Sequence, residues 1–180
     1  ITQLAQNCGI EYTLDDGLGN NTYKAVICAD DVIYGPSNSE RLFSYMGNLV
    51  SFNSANFKVD TVTSLMLVFY NDVKLKYVDT LISWNTNNLT EMRGLLMNCN
   101  EMESIAGLAN FKTSGVTQMD YLFSNNTKIT NIDALLNWDV SNVTDMPYIF
   151  SGCINLTNIN GVINWNTSNV TNMRGMFNRD

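Results

Sequence analysis

Apolar side chains recur along this chain at a fixed interval of 27 residues. An aromatic residue stands at the same place in each interval, at Phe57, Trp84, Phe111, Trp138 and Trp165. A branched apolar residue follows five positions later, at Val62, Leu89, Val116, Val143 and Val170. Each of these is followed directly by threonine, and further apolar columns recur in the same register. Self-similarity at a period of 20–50 residues is the mark of a tandem structural repeat.

Within each unit the apolar positions are mostly three residues apart, and Asn and Gly stand between them. This spacing fits neither a long helix of period 3.6 nor a strand with strict alternation. It predicts a coil that bends repeatedly, with short β-strands separated by short helical or irregular turns. No unit can bury its apolar row alone, so we expect a solenoid in which 27-residue coils stack about 4.8 Å apart.

The repeats predict two regions, a module at residues 1–39 and a repeat array at residues 40–180. The first region carries two apolar-alternating stretches around DDGLGNN, which predicts a β-hairpin that caps the first coil. A separate small interaction module is the alternative. The array ends partway through a unit at Asp180, so we expect either a partner over that end or, as the favoured interpretation, a fragment of a longer protein.

Composition narrows the function. The net charge is −7, and Lys and Arg form no block, which argues against nucleic acid and against anionic membrane surfaces as partners. No apolar run reaches 18 residues, so no membrane-spanning segment is expected. The chain is 45% hydrophobic, enough to bury a core as one domain.

The four cysteines separate into two pairs by their place in the repeat. Cys99 and Cys153 lie two units apart in one column, so their Cα atoms are expected about 9.6 Å apart, beyond the reach of a disulfide. They should be free, packed thiols. Cys8 and Cys28 flank the predicted hairpin and can pair in an oxidising setting, although four reduced thiols remain an alternative.

Candidate catalytic and metal-binding residues are scarce. The chain has no histidine, which removes the commonest general base and metal ligand, and no CxxC pair. Glu101 and Glu103 form a local acidic pair with no positioned partner. The DDGLGNN turn has oxygen ligands but lacks the spacing of a calcium loop. The sequence therefore predicts a protein that is not an enzyme and that uses no cofactor and no metal.

The segments WDVSNVTDMPYIFSGCINLTNI and WNTSNVTNMRGMF resemble the 26–27-residue repeats of BspA-like bacterial surface proteins, a repeat family of mycoplasma and listerial surface lipoproteins. The resemblance covers residues from about 40 to 180 and rests on the pattern W-[DN]-x-S-x-V-T-x-M-x-x-[MI]-F. Residues 57–83 depart from it, with Phe57, Asp60 and Leu65 at pattern positions. The family implies a leucine-rich-repeat-like solenoid on a secreted or surface-anchored bacterial protein, with adhesion or host-protein binding as its role.

Two adjacent columns vary within this constant frame, and variation of this kind marks positions that the fold does not dictate. They supply the candidate binding residues Arg93, Asp120, Tyr121, Tyr148 and Arg174. We expect a surface adhesion module that recognises a host or extracellular protein or a glycan; a merely tolerant surface is an equal alternative. A structural spacer in a larger surface protein is the second hypothesis. Ice binding by the threonine column and a carbohydrate-active solenoid are remote options.

Overall fold

The computed structural model describes residues 8–15, 22–28, 32–54 and 56–179, the first two segments as backbone. Five strands are described, namely β1 (Cys8–Asp15), β2 (Thr22–Cys28), β3 (Ile33–Tyr34), β4 (Leu49–Asn53) and β5 (Phe57–Lys58). β1 pairs with β2 and with β4, antiparallel in both cases, in a sheet of order β2-β1-β4. β3 and β5 form a separate parallel pair. The sheet therefore joins residues on both sides of the boundary expected at residue 39.

From Asn56 onward, successive 27-residue units lie against one another in parallel register. One ladder of single-residue bridges runs through Asn38, Ser64, Glu91, Gln118, Asp145 and Asn172. A second ladder on another side of the units joins Ser51, Tyr77 and Ser104, and also Asn131 and Asn158. Thr90 shows how a unit is fixed to the one before it, because both its backbone N–H and its hydroxyl donate to the Thr63 carbonyl. The threonine column thus holds neighbouring units in register.

A tight turn follows the first ladder in each unit and a short 3₁₀ helix follows the second. Backbone N–H groups in the turn point alternately within the unit and to the next one, as when Leu67 donates to the Arg93 carbonyl at 2.8 Å. The 3₁₀ helices are Asp79–Ser83, Ala106–Leu108, Asp133–Leu135 and Asn160–Val162. The steps of three in the sequence correspond to these turns, since a 3₁₀ turn brings every third residue to the same side.

The apolar columns face inward and form one continuous core. Trp84, Phe111 and Trp138 are buried and stack in sequence, with ring centroids 6.3 Å and 6.5 Å apart. Trp165 extends the column and is half-buried. Cys99 and Cys153 are free and buried, which agrees with the stacking register. Among the described residues, no helix is long and apolar enough to cross a membrane.

Candidate functional site

The five candidate residues lie next to one another on the turn that follows the first bridge ladder. We call this surface, formed by Arg93, Asp120, Tyr121, Tyr148 and Arg174, the tyrosine face. Neighbouring units supply its members, and the backbone bonds between units fix their order: the Gly94 N–H donates to the Asp120 carbonyl, and the Tyr148 N–H to the Arg174 carbonyl. The 27-residue register therefore turns residues far apart in sequence into one patch.

Two tyrosine rings form the centre of the tyrosine face. The rings of Tyr121 and Tyr148 are stacked, with centroids 5.1 Å apart and planes 13° apart. The Arg174 guanidinium lies 5.9 Å from the centroid of the Tyr148 ring, within range of a cation–π contact. Tyr121 keeps 39% of its surface exposed. Aromatic rings and arginine are the side chains that most often carry binding energy at interfaces.

The backbone constrains the column that contains the two tyrosines, and this corrects the expectation that the fold leaves it free. Its members all have φ between 55° and 60°, at Leu67, Gly94, Tyr121, Tyr148 and Gly175. A left-handed backbone favours glycine and costs other residues about 1–2 kcal/mol. Glycine at two of the five positions follows from this cost. Bulky side chains at the other three are held against a backbone preference.

A second left-handed column lies four residues further on, at Tyr45, Asn71, Asn98, Asn125, Gly152 and Arg179. Asn and Gly tolerate this conformation best, which explains their place here. The Asn98 amide donates to the Asn71 side-chain oxygen at 2.9 Å, and the Asn125 amide donates to that of Asn98 at 2.8 Å. Neither left-handed column was predicted from the sequence, although Gly and Asn at intervals of 27 residues were a usable signal.

A recess of about 260 Å³ opens on the tyrosine face beside Tyr121. Its floor is Gly94, and its walls include Leu67 on one side and the Tyr121 ring on the other. Arg93 and Asp120 line its polar edge. Three of the five candidate residues therefore line one recess, while Tyr148 and Arg174 extend the surface beyond it. Leu67 and Gly94 were not among the candidates.

The charges at the edge of the recess are fixed by one another. Arg93 Nε lies 3.0 Å from Glu91 Oε1, and Arg93 Nη1 lies 3.9 Å from Asp120 Oδ2. Asp120 Oδ1 is buried and accepts no hydrogen bond from any described side chain or backbone group. Burial raises the pKa of Asp120, while the nearby Arg93 charge acts in the opposite direction. The edge thus presents a held guanidinium and a carboxylate oxygen with spare capacity to accept.

The other acidic and thiol groups have structural environments. Glu103 accepts a hydrogen bond from the Tyr77 hydroxyl at 2.6 Å and pairs with Lys76 at 3.3 Å, contacts that lower its pKa. Burial raises the pKa of the Cys99 thiol, which donates to the Phe69 carbonyl. No group of three or more His, Cys, Asp or Glu suited to a metal ion lies within the part of the chain that the structure describes.

Two predictions from the sequence fall outside the described side chains. The backbone register places Cys8 opposite Cys28 in the β1–β2 pair. Their side chains are not among those described, so the disulfide between them stays a prediction. Most of the DDGLGNN turn, residues 16–21, is likewise outside the described residues.

Comparison with known proteins gives a family match. A family model described as "Mycoplasma protein of unknown function, DUF285" matches residues 37–133 and, in a second overlapping hit, residues 98–180. The two hits together span the repeats and leave out the first 36 residues. No curated protein and no solved structure matches the chain significantly.

Proposed function

Because the chain belongs to the DUF285 family of mycoplasma proteins of unknown function, its role has to be inferred from its own surface, and we propose that it is a non-enzymatic binding module. In this proposal the stacked units form a BspA-like, leucine-rich-repeat-like solenoid on a secreted or surface-anchored bacterial protein. The tyrosine face recognises an extracellular partner, a host protein or a glycan. The module acts in adhesion.

The observation that carries the proposal is the stacked pair Tyr121 and Tyr148 with a recess beside it. A repeat scaffold presents such side chains at fixed spacing, which lowers the entropy cost of binding. The rings are also exposed on a backbone that disfavours them, whereas burial in the core would have explained the same cost through packing. Strain kept at a surface without a packing reward points to function.

Screening the purified 180-residue chain against immobilised extracellular-matrix proteins and a glycan array tests the proposal. The decisive variant combines Arg93→Gln, Tyr121→Gly and Tyr148→Gly. Glycine is chosen because Gly94 and Gly175 occupy the same column at nearly the same φ, so the variant keeps a backbone that the fold already uses. Binding of any partner is expected to weaken at least tenfold.

A matched control combines Tyr45→Gly with Lys112→Gln. Tyr45 is also an exposed tyrosine with positive φ, 63°, but it lies outside the tyrosine face. This control should bind like the parent chain. A parent chain that binds nothing on either panel contradicts the binding proposal and favours the spacer hypothesis. Equal loss in both variants also contradicts a role for the tyrosine face.

A further inference from the structure

The column that forms the recess follows a simple packing rule. Each side chain leans over the residue one unit further along: the Tyr148 ring lies over Gly175, and Leu67 lies over Gly94, where a Cβ atom would stand 2.6 Å from Leu67 Cδ2. Tyr121 likewise stacks on Tyr148. The ring of each tyrosine is therefore covered on its other face only by the side chain one unit before it.

Gly94 interrupts this covering at Tyr121. Tyr148 is covered by Tyr121, but the residue one unit before Tyr121 is Gly94, which has no side chain. One face of the Tyr121 ring is therefore stacked and the opposite face looks onto the recess. The Leu67 side chain closes the far wall. The result is a slot with an aromatic wall, an aliphatic wall and a backbone floor.

The polar edge of the slot selects among ligands by charge. An anion would approach Asp120 and Glu91 as well as Arg93, and a cation would approach the Arg93 guanidinium. Two carboxylates around one guanidinium favour neither ion strongly. A neutral molecule with hydroxyl groups fits all three features, because it can donate to the buried Asp120 Oδ1 and accept from Arg93 N–H groups.

We infer that the recess binds the neutral pyranose ring of a glycan, with the C–H face of the sugar on the open side of Tyr121 and its hydroxyl groups on Asp120 and Arg93. This inference rests on the proposed binding function and names its ligand class. A pyranose combines an apolar ring face with hydroxyls at its rim, which matches an aromatic wall beside a polar edge.

The size of the recess sets the scale of the interaction. At about 260 Å³ it is smaller than the usual ligand pocket of about 300–1,000 Å³, so it holds one sugar ring rather than an oligosaccharide. A single ring with few contacts binds weakly, with an expected Kd on the order of 1 mM or above. Multivalent display on a surface would raise the effective affinity without new contacts.

The test uses the full chain with ring-¹³C-labelled tyrosine, followed by NMR. The probes are methyl β-D-glucopyranoside, methyl β-D-galactopyranoside and the methyl glycoside of N-acetylglucosamine, with N-acetylneuraminic acid and butylammonium as anionic and cationic comparisons. Tyr121→Phe assigns the Tyr121 signal. At least one neutral glycoside is expected to shift Tyr121, with neither ion doing so at the same concentration and with Tyr45 unaffected.

Gly94→Asn fills the recess, and Asn tolerates the positive φ of that residue. Gly175→Asn is the matched control, since Gly175 has nearly the same φ, 60°, and is also overlain by its column neighbour. Glycoside affinity should fall at least tenfold in Gly94→Asn and stay unchanged in Gly175→Asn. Asp120→Asn, which keeps the shape of the side chain, gives an independent measurement and should weaken binding several-fold.

An unshifted Tyr121 with every neutral glycoside overturns the assignment, as does equal binding by Gly94→Asn and the parent chain. If a matrix protein binds through the tyrosine face while the glycosides do not, the sugar assignment is wrong and the binding function stands. If neither a matrix protein nor a glycan binds, both are contradicted.

Discussion

Tyr121 and Tyr148 lie one 27-residue unit apart and stack at 5.1 Å between ring centroids, with φ values of 55° and 56°. The left-handed backbone directs both side chains along the stack of units. The contact is therefore made possible by a conformation that tyrosine disfavours. The same conformation leads to the first prediction, which reverses the usual ranking of alanine and glycine.

Tyr121→Gly should be more stable than Tyr121→Ala by about 1 kcal/mol. Both variants lose the ring stack, but only glycine is relieved of the left-handed backbone cost. Urea unfolding of the two variants measures the difference. Ile163 is the control site, because it is exposed and has an ordinary φ of −61°. There, alanine should be the more stable of the two, and the same order at both sites would contradict the backbone argument.

Trp138→Phe should destabilise the chain more than Trp84→Phe, by about 1–3 kcal/mol. Trp138 Nε1 donates to the Leu108 carbonyl at 3.0 Å, and phenylalanine would leave that carbonyl without this donor. Trp84 Nε1 is buried and has no hydrogen-bond partner among the described residues, so its removal relieves a desolvation cost. Phe111, between them in the column, shows that phenylalanine fits. Urea midpoints at constant m-value give the comparison, and equal losses would show that the indole N–H groups are equivalent.

Asp72→Asn should stabilise the chain at neutral pH. Asp72 is fully buried, and this burial raises its pKa to about 7, although the bond from the Met46 N–H acts in the opposite direction. Between about pH 4 and pH 7 the folded chain keeps a proton that the unfolded chain has lost. Stability therefore falls as pH rises through that window. The gain from Asn should grow from near zero at pH 4 to as much as about 4 kcal/mol at pH 8.

Asn126 occupies the same column as Asp72 two units later and supplies the reverse experiment. Its amide donates to the Leu96 and Phe123 carbonyls inside the core. Asn126→Asp should lose stability at pH 8 and recover part of it at pH 4, where the carboxyl is protonated. Unfolding free energies measured from pH 4 to pH 8 test both variants. A flat difference between Asp72→Asn and the parent chain would show that Asp72 does not titrate as a buried group.

Cys99 and Cys153 should resist iodoacetamide in the folded chain. Both are completely buried and donate to main-chain carbonyls, and burial raises the pKa of the Cys99 thiol, so little thiolate forms. Mass spectrometry after labelling, with and without urea, reports each site separately. Labelling should appear only under unfolding conditions. Rapid native labelling of either residue would contradict its place in the core.

The sequence predicts the columns well because their spacing is set by the stacking itself. Trp84, Phe111 and Trp138 share one position in the repeat, and their common environment follows from the 27-residue interval. The same interval separates Cys99 from Cys153 by two units, and both are free. Features that repeat in every unit can be read from one chain alone.

Features that belong to single units are harder to predict. The recess depends on Gly94 lacking a side chain between Leu67 and Tyr121, and on the direction in which those side chains lean. That direction follows from the left-handed backbone, which hydrophobic periodicity does not report. The pairing of β1 with β4 is equally local, since residues 8–15 lie outside the repeat pattern. Variability along the repeat is enough to select the candidate residues, whereas their shared recess is visible only in three dimensions.

The 27-residue register that creates the tyrosine face is tested most directly by NOE contacts in the folded chain. We predict cross-peaks between the ring protons of Tyr121 and Tyr148, and between the Leu67 methyl groups and the Gly94 Hα protons. The open side of Tyr121 predicts no cross-peak from its ring to the ring of any other aromatic residue. Missing Tyr121–Tyr148 contacts, or a Tyr121 ring in contact with another unit's aromatic residue, would contradict the register and with it the recess.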